Sequence, residues 1–286
     1  RAQLGIDMER IRSAIEKARV ARHEGDTPQA ANPAKPRVKS RELSGDRRRE
    51  LWAEIPEFTP VERVLNRHRV LAYGSVKEAT PFHVMRTKLL QTMRSNDWSR
   101  VAISSPGSGS GKTITALNLA FSLARQQDVY VMVVELDMRR PGVMTTLGIK
   151  EPCQFSRALE GEPNPEQHMR RYGPNLVLAM TRTSARDPSE LLQGVTAAHV
   201  IDGLQKTYQP DIMLFDMPPV MAGDDTIAFL DQVDCALLLG EAERSTIEEL
   251  DKCEREISAR TNMLGVVLNK CRYLGRHEEY GKEYGY

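Results

Sequence analysis

The sequence predicts an α/β chain built on a doubly wound, mainly parallel sheet. Three observations predict it. Aliphatic, β-branched runs recur at Val101–Ile103, Val129–Val134, Leu176–Ala179, Ile212–Phe215, Cys235–Leu239 and Leu264–Leu268, each short and unbroken, as strands buried on both faces are. Helical stretches lie between most of them, and alternation of this kind favours parallel strands joined by crossover helices. The glycine-rich stretch Ser105-Pro106-Gly107-Ser108-Gly109-Ser110-Gly111-Lys112-Thr113 joins the first run to an amphipathic segment, Ile114 to Leu123.

In chain order, residues 4 to 22 set Leu4, Met8, Ile11 and Ile15 at helical spacing among many charges. We assign 1–23 to an amphipathic N-terminal helix. Residues 24–43 carry three prolines and little that could fill a core, and are expected to be a flexible linker. Apolar content returns at Leu51, and Ala79 to Met93 reads as a helix leading into the first strand. Further helices are expected over Ser189 to Tyr208, Asp225 to Gln232 and Thr246 to Arg260. The main domain is placed at 44–272. The last segment, 273–286, has three glycines and three tyrosines after Tyr273 but no apolar periodicity, and is expected to be a mobile tail.

Composition narrows the functional classes. With 286 residues, 40% of them hydrophobic, the chain suits one sizeable domain with appendages. A net charge of +1 and the lack of a basic face interleaved with aromatics argue against nucleic-acid binding. The four cysteines form no C-x-x-C pair, which argues against a zinc knuckle or a disulfide framework. No apolar run reaches the roughly 18 residues of a membrane span.

The glycine stretch carries the chemistry. Three glycines let the backbone curl so that its N–H groups face a polyphosphate at the positive end of the following helix. Lys112 would reach the β/γ-phosphates, and Thr113 would ligate Mg²⁺. A strict G-x4-G-K-[ST] pattern would have its first glycine at Pro106, so the match lies in the G-x-G-K-T core. The nucleotide-binding set is Gly107, Ser108, Gly109, Ser110, Gly111, Lys112, Thr113 and Ile114. Two strands then end in acids, where this fold places its ligands. Residues two apart on a strand share a face, so Glu135 and Asp137 are expected to point together toward the nucleotide. The run Ile212 to Phe215, closed by Asp216, is a Walker B pattern, and its acid would hold Mg²⁺ directly or through water.

With these residues in place, the chain resembles the cytoplasmic domain of bacterial tyrosine kinases, the capsular and exopolysaccharide autokinases built on a P-loop of the MinD/ParA type. The resemblance covers roughly Thr80 to Tyr286. It rests on F-H-V-M-R-T at Phe82 to Thr87, the glycine loop, L-D-M-R-R-P at Leu136 to Pro141, D-P-S-E-L-L at Asp187 to Leu192, D-M-P-P-V from Asp216, and the tyrosine-bearing tail. It implies ATP as phosphoryl donor, Mg²⁺ as cofactor, and tail tyrosines of a neighbouring subunit, Tyr280, Tyr284 and Tyr286, as acceptors.

The pattern departs in places. The first acid of the second Walker motif is usually aspartate and here is Glu135. Where many members carry an oligomerisation motif E-x-x-R-x-x-R, this chain has Thr80, His83 and Arg86, so only the last position matches. The tail is sparse in tyrosines, and the chain encodes no transmembrane activator. It therefore resembles the split arrangement, in which a separate membrane-anchored polysaccharide chain-length or co-polymerase protein activates the kinase. Self-association and a cytoplasmic location at the inner face of the plasma membrane are implied with it.

Phosphoryl transfer is mostly positioning and charge neutralisation. The expected catalytic set is Lys112, Asp137, Glu135 and Arg139, with Asp137 taking the tyrosine proton. The metal set is Thr113, Asp216, Glu135 and Asp137. Arg139 and Arg140 would stabilise transferring charge or hold a neighbour's tail, or else form a solvated loop pair. Asn269 would contact adenine, although a strand-terminal Asn is also a common turn former. Two other functions compete. A MinD/ParA-like ATPase would carry a lysine where Gly107 stands. A regulatory scaffold of a polysaccharide exporter would bind nucleotide with little kinase activity.

Overall fold

The computed structural model describes residues 43–74 and 76–272. The expected N-terminal helix, nearly all of the linker, and the tail with Tyr280, Tyr284 and Tyr286 lie outside the described residues. Leu43, assigned to the linker, donates its N–H to Gln209 Oε1 at 2.9 Å and so joins the domain.

Seven strands form one sheet in the order β3-β4-β2-β5-β1-β6-β7. They are β1 (Arg100–Ser104), β2 (Val131–Glu135), β3 (Met169–Tyr172), β4 (Leu176–Ala179), β5 (Ile212–Asp216), β6 (Cys235–Glu241) and β7 (Asn262–Asn269). Every pairing is parallel except β3 with β4. The antiparallel edge strand β3 was not anticipated. Its sequence, Met-Arg-Arg-Tyr, is short and half-polar, as suits a strand at the sheet edge, where its outer side meets only the Glu57–Arg171 bridge.

Period-two alternation sorts the strand residues into two cores, one on each face of the sheet. Val101, Ile103, Val131, Val133, Ile212 and Leu214 enter one, together with the helices Thr80–Ser95 and Lys112–Ala124. Ala102, Met132, Val134, Met213 and Phe215 enter the other, against Val195–Tyr208, Ile247–Ser258 and Trp52 of Gly45–Ala53. The Trp52 indole N–H donates to the Tyr208 carbonyl at 2.8 Å, so the ring is buried without leaving its donor unpaired. Cys153, Cys235 and Cys253 are buried free thiols, and Cys271 is exposed.

Two expected helices are divided. The stretch Ser189 to Tyr208 forms Pro188–Gln193 and Val195–Tyr208, with Gly194 extended between them at ψ 139°. A Cβ there would stand 3.1 Å from the Leu191 carbonyl oxygen, so glycine permits the sharp break. The stretch Asp225 to Gln232 begins as the α-helix Asp225–Phe229 and tightens into the 3-10 turn Leu230–Gln232. The last helix starts at a reciprocal cap, in which the Thr246 hydroxyl accepts from the Glu249 N–H and the Glu249 carboxylate accepts from the Thr246 N–H.

Parallel pairing has one consequence for function: the carboxyl ends of β1, β2, β5, β6 and β7 share one edge. Register sets Glu135 beside Asp216 and Glu241 beside Asn269. Among the described residues, no helix is long and apolar enough to cross a membrane.

Candidate functional site

The loop after β1 closes on itself before the helix Lys112–Ala124 begins. Ser105 Oγ and Ser110 Oγ both donate to the Gly107 carbonyl, at 2.7 and 3.0 Å. Gly109 and Gly111 sit at φ 86° and 91°, the left-handed region where a side chain is strained. At Gly111 a second constraint applies, because a Cβ would lie 2.4 Å from Asn269 Nδ2. That amide instead donates to the Ser110 carbonyl at 2.8 Å, so the last strand braces the loop.

Lys112 opens the helix and is buried. Burial pulls its ammonium below the ordinary lysine range, while the carboxylates of Asp216 and Asp137 pull it back up. Thr113 Oγ1 donates to Asp216 Oδ2 at 2.6 Å. The other oxygen, Asp216 Oδ1, is buried and has no hydrogen-bond partner. Burial raises the Asp216 carboxyl to about 7, against stabilising contributions from the Thr113 hydroxyl and Lys112. An unpaired buried carboxylate oxygen beside a threonine hydroxyl is the donor chemistry of a hard divalent cation, so Thr113 and Asp216 fit Mg²⁺. Ile114 is half-buried and packs on the core, whereas Gly107 and Ser108 form the exposed crest of the loop.

The second motif departs from expectation. Glu135 and Asp137 do not point together, because β2 ends at Glu135 and the alternation of a strand ends with it. The N–H groups of Leu136 and Asp137 both donate to the Asp216 carbonyl, at 2.9 and 3.0 Å, and turn the chain. Glu135 is fully buried. Its Oε1 accepts from the N–H groups of Gly142 and Val143 at 2.6 and 2.8 Å, and its Oε2 from Thr181 at 2.9 Å. The metal and catalytic roles expected for Glu135 give way to that of a brace that fixes the loop after Asp137. Burial raises this carboxyl to about 8, and the three N–H donors oppose the rise. Asp137 stays half-buried near Lys112; its carboxyl is raised by burial and lowered first by Lys112, and its Oδ1 accepts from the Arg140 N–H at 3.2 Å.

Arg139 is committed elsewhere than the phosphate loop. Its Nε and Nη2 grip both oxygens of the buried Asp225, at 2.6 and 2.9 Å. The Ser189 hydroxyl lies within hydrogen-bond reach of the same carboxylate and of Asp224, and its single hydrogen serves one or is shared between them. Sequence reasoning missed the role of Asp225; its only signal was the acid pair Asp224-Asp225 soon after the Walker B strand. Arg140 is exposed.

Comparison with known proteins agrees with this geometry. The family model described as the CobQ/CobB/MinD/ParA nucleotide binding domain matches residues 101–283. A Ralstonia nicotianae protein named EpsB is 29% identical over 203 residues, which are 70% of this chain but 27% of that relative. The tyrosine-protein kinase YwqD of Bacillus subtilis is 25% identical over 202 residues, 70% of this chain and 84% of YwqD. The crystal structure of the chimerical protein CapA2B2 superposes with a TM-score of 0.63 at 23% identity, covering 70% of this chain and 87% of that one.

Proposed function

The chain belongs to the CobQ/CobB/MinD/ParA nucleotide-binding domain family, and from that premise we propose that it is an ATP-dependent protein tyrosine autokinase of exopolysaccharide or capsule synthesis. The observation that carries the nucleotide part is the convergence of Lys112, Thr113, Asp216 and Asp137 on one glycine loop, with Asp216 Oδ1 left unpaired. The kinase part is supported by the relatives named as tyrosine-protein kinases and by the tyrosine-bearing tail.

In this reading the loop N–H groups and Lys112 hold the phosphates of ATP. Thr113 and Asp216 hold Mg²⁺, which supplies charge neutralisation at those phosphates. Asp137, half-buried and close to Lys112, takes the proton of the incoming tyrosine hydroxyl. Tyr280, Tyr284 and Tyr286 of a neighbouring copy are the acceptors, and a membrane-anchored co-polymerase protein stimulates the reaction. Phosphate on several tail tyrosines would add roughly −1.5 to −2 charge each and loosen the assembly by repulsion.

Intact mass before and after Mg²⁺-ATP tests this. The expected result is added phosphate confined to the peptide 273–286. A Lys112→Met chain with its tail intact should be phosphorylated by an active chain whose three tail tyrosines are phenylalanine, since transfer is between copies. No phosphate on either chain, with nucleotide bound, would favour the second reading, a regulatory scaffold. The capture of Glu135 by three backbone N–H groups is the observation on that side.

A further inference from the structure

The turn after β6 brings a second cation to the glycine loop. Glu243 takes a left-handed φ of 64°, and Arg244 and Ser245 donate their N–H groups to the Glu241 carbonyl at 3.2 and 2.8 Å. Ser245 Oγ accepts from the Glu241 N–H at 2.9 Å, and Ala242 donates to the Asn269 carbonyl, also at 2.9 Å. The turn is thus tied to the same strand that braces the loop. It presents Arg244 at the crest: Nη1 lies 3.6 Å from where a Cβ on Gly109 would stand. Between them is a cavity of about 280 Å³, lined by Gly107, Ser108, Met221, Glu241 and Arg244 among others.

The resting partner of Arg244 is weakly held. Its Nη1 is 3.4 Å from Glu241 Oε2, and the side chain is 69% exposed. Glu241 is largely buried but keeps a closer partner, Lys270 Nζ at 3.0 Å. Withdrawal of Arg244 therefore does not strand a buried carboxylate. On the loop itself, Lys112 is the sole cation from Ser105 to Thr113, with uncharged Gly107 and Ser108 at the open crest.

We propose that Arg244 is a phosphate-binding residue of the nucleotide site, leaving Glu241 to pair with the terminal phosphates of the bound nucleoside triphosphate. This rests on the nucleotide-binding reading above and adds to it a contact that comes from outside the P-loop and both Walker motifs. A guanidinium matches phosphate oxygens in charge and in hydrogen-bond geometry.

The test is equilibrium binding of a fluorescent ATP analogue with Mg²⁺ to the full chain, to Arg244→Ala and to Arg244→Lys, with unfolding midpoints as the control for folding. Arg244→Ala should weaken binding about tenfold, the scale of one charge-assisted hydrogen bond. Arg244→Lys should recover the part of the loss that charge alone supplies, a few-fold, and the loss should shrink as salt is raised. Arg244→Ala binding within twofold of the unaltered chain would overturn the inference. So would Arg244→Lys binding as weakly as Arg244→Ala, which would assign the effect to shape instead of charge. Failure of the unaltered chain to bind the analogue would instead refute the P-loop reading, and this inference with it.

Discussion

Asp216→Asn should make the nucleotide-free protein more stable at alkaline pH, although it removes a residue of the proposed metal site. The Asp216 carboxyl titrates near 7 in the folded chain, against an ordinary 3.8. Its ionised form is therefore about 4 kcal/mol costlier in the folded than in the unfolded protein. A folded pKa raised in this way contributes stability that is complete below 3.8 and is lost as pH rises through about 7. Asparagine is nearly isosteric, can still accept the Thr113 hydroxyl, and never pays that ionisation cost. The variant should exceed the wild type by about 4 kcal/mol at pH 8 and by about 1–2 kcal/mol at pH 5, where the folded carboxyl is already neutral. Glu135, raised to about 8 first by burial and in smaller part by the Asp216 charge, titrates in both proteins, and loss of that charge eases its ionisation in the variant, which widens the gap at pH 8. Urea unfolding of both proteins at the two pH values, without nucleotide, measures the gap. A variant less stable than wild type at pH 8, or a gap independent of pH, would refute the argument. Saturating Mg²⁺-ATP should then stabilise the wild type by about 2–3 kcal/mol at a hundredfold excess over Kd and the variant much less.

Three further outcomes follow from the same geometry. Glu135→Gln turns an amide donor toward the Thr181 N–H and, below pH 4.5, where the raised carboxyl carries no ionisation cost, should lower the unfolding free energy by about 1–3 kcal/mol while leaving ATP affinity at neutral pH within about threefold; a large loss of affinity with stability unchanged would restore Glu135 to the metal site. Gly111→Ala forces a side chain into φ 91° and into the Asn269 amide, at a cost of about 1–2 kcal/mol for the backbone alone, and should abolish nucleotide binding measured by calorimetry. Asp137→Asn should reduce phosphoryl transfer at least about a hundredfold with little change in ATP affinity; equal falls in both, from single-turnover rates and binding titrations, would make it a metal or structural residue.

Local chemistry by itself determined the fold class and the phosphate loop. Aliphatic runs such as Met132 to Val134 and Ile212 to Phe215 read as strands buried on both faces because they are short and set among β-branched residues, too brief for a buried helix. The loop was legible because its chemistry lies within nine consecutive residues, and a left-handed glycine needs no distant partner to be recognised. Asp216 was legible for a similar reason, as a single acid closing an apolar strand.

What the tertiary structure decided is where side chains go once the chain leaves regular structure. Glu135 and Asp137 are two apart, yet the turn imposed by the Asp216 carbonyl separates them and sends one to a backbone cradle that includes Thr181, 46 residues away. Arg139 meets Asp225 across 86 residues, and Asn269 meets Ser110 across 159. Arg244 reaches the loop crest because β6 lies beside β1. Strand order and register bring these pairs together, and both arise from packing over the whole sheet, which no local pattern of residue types records.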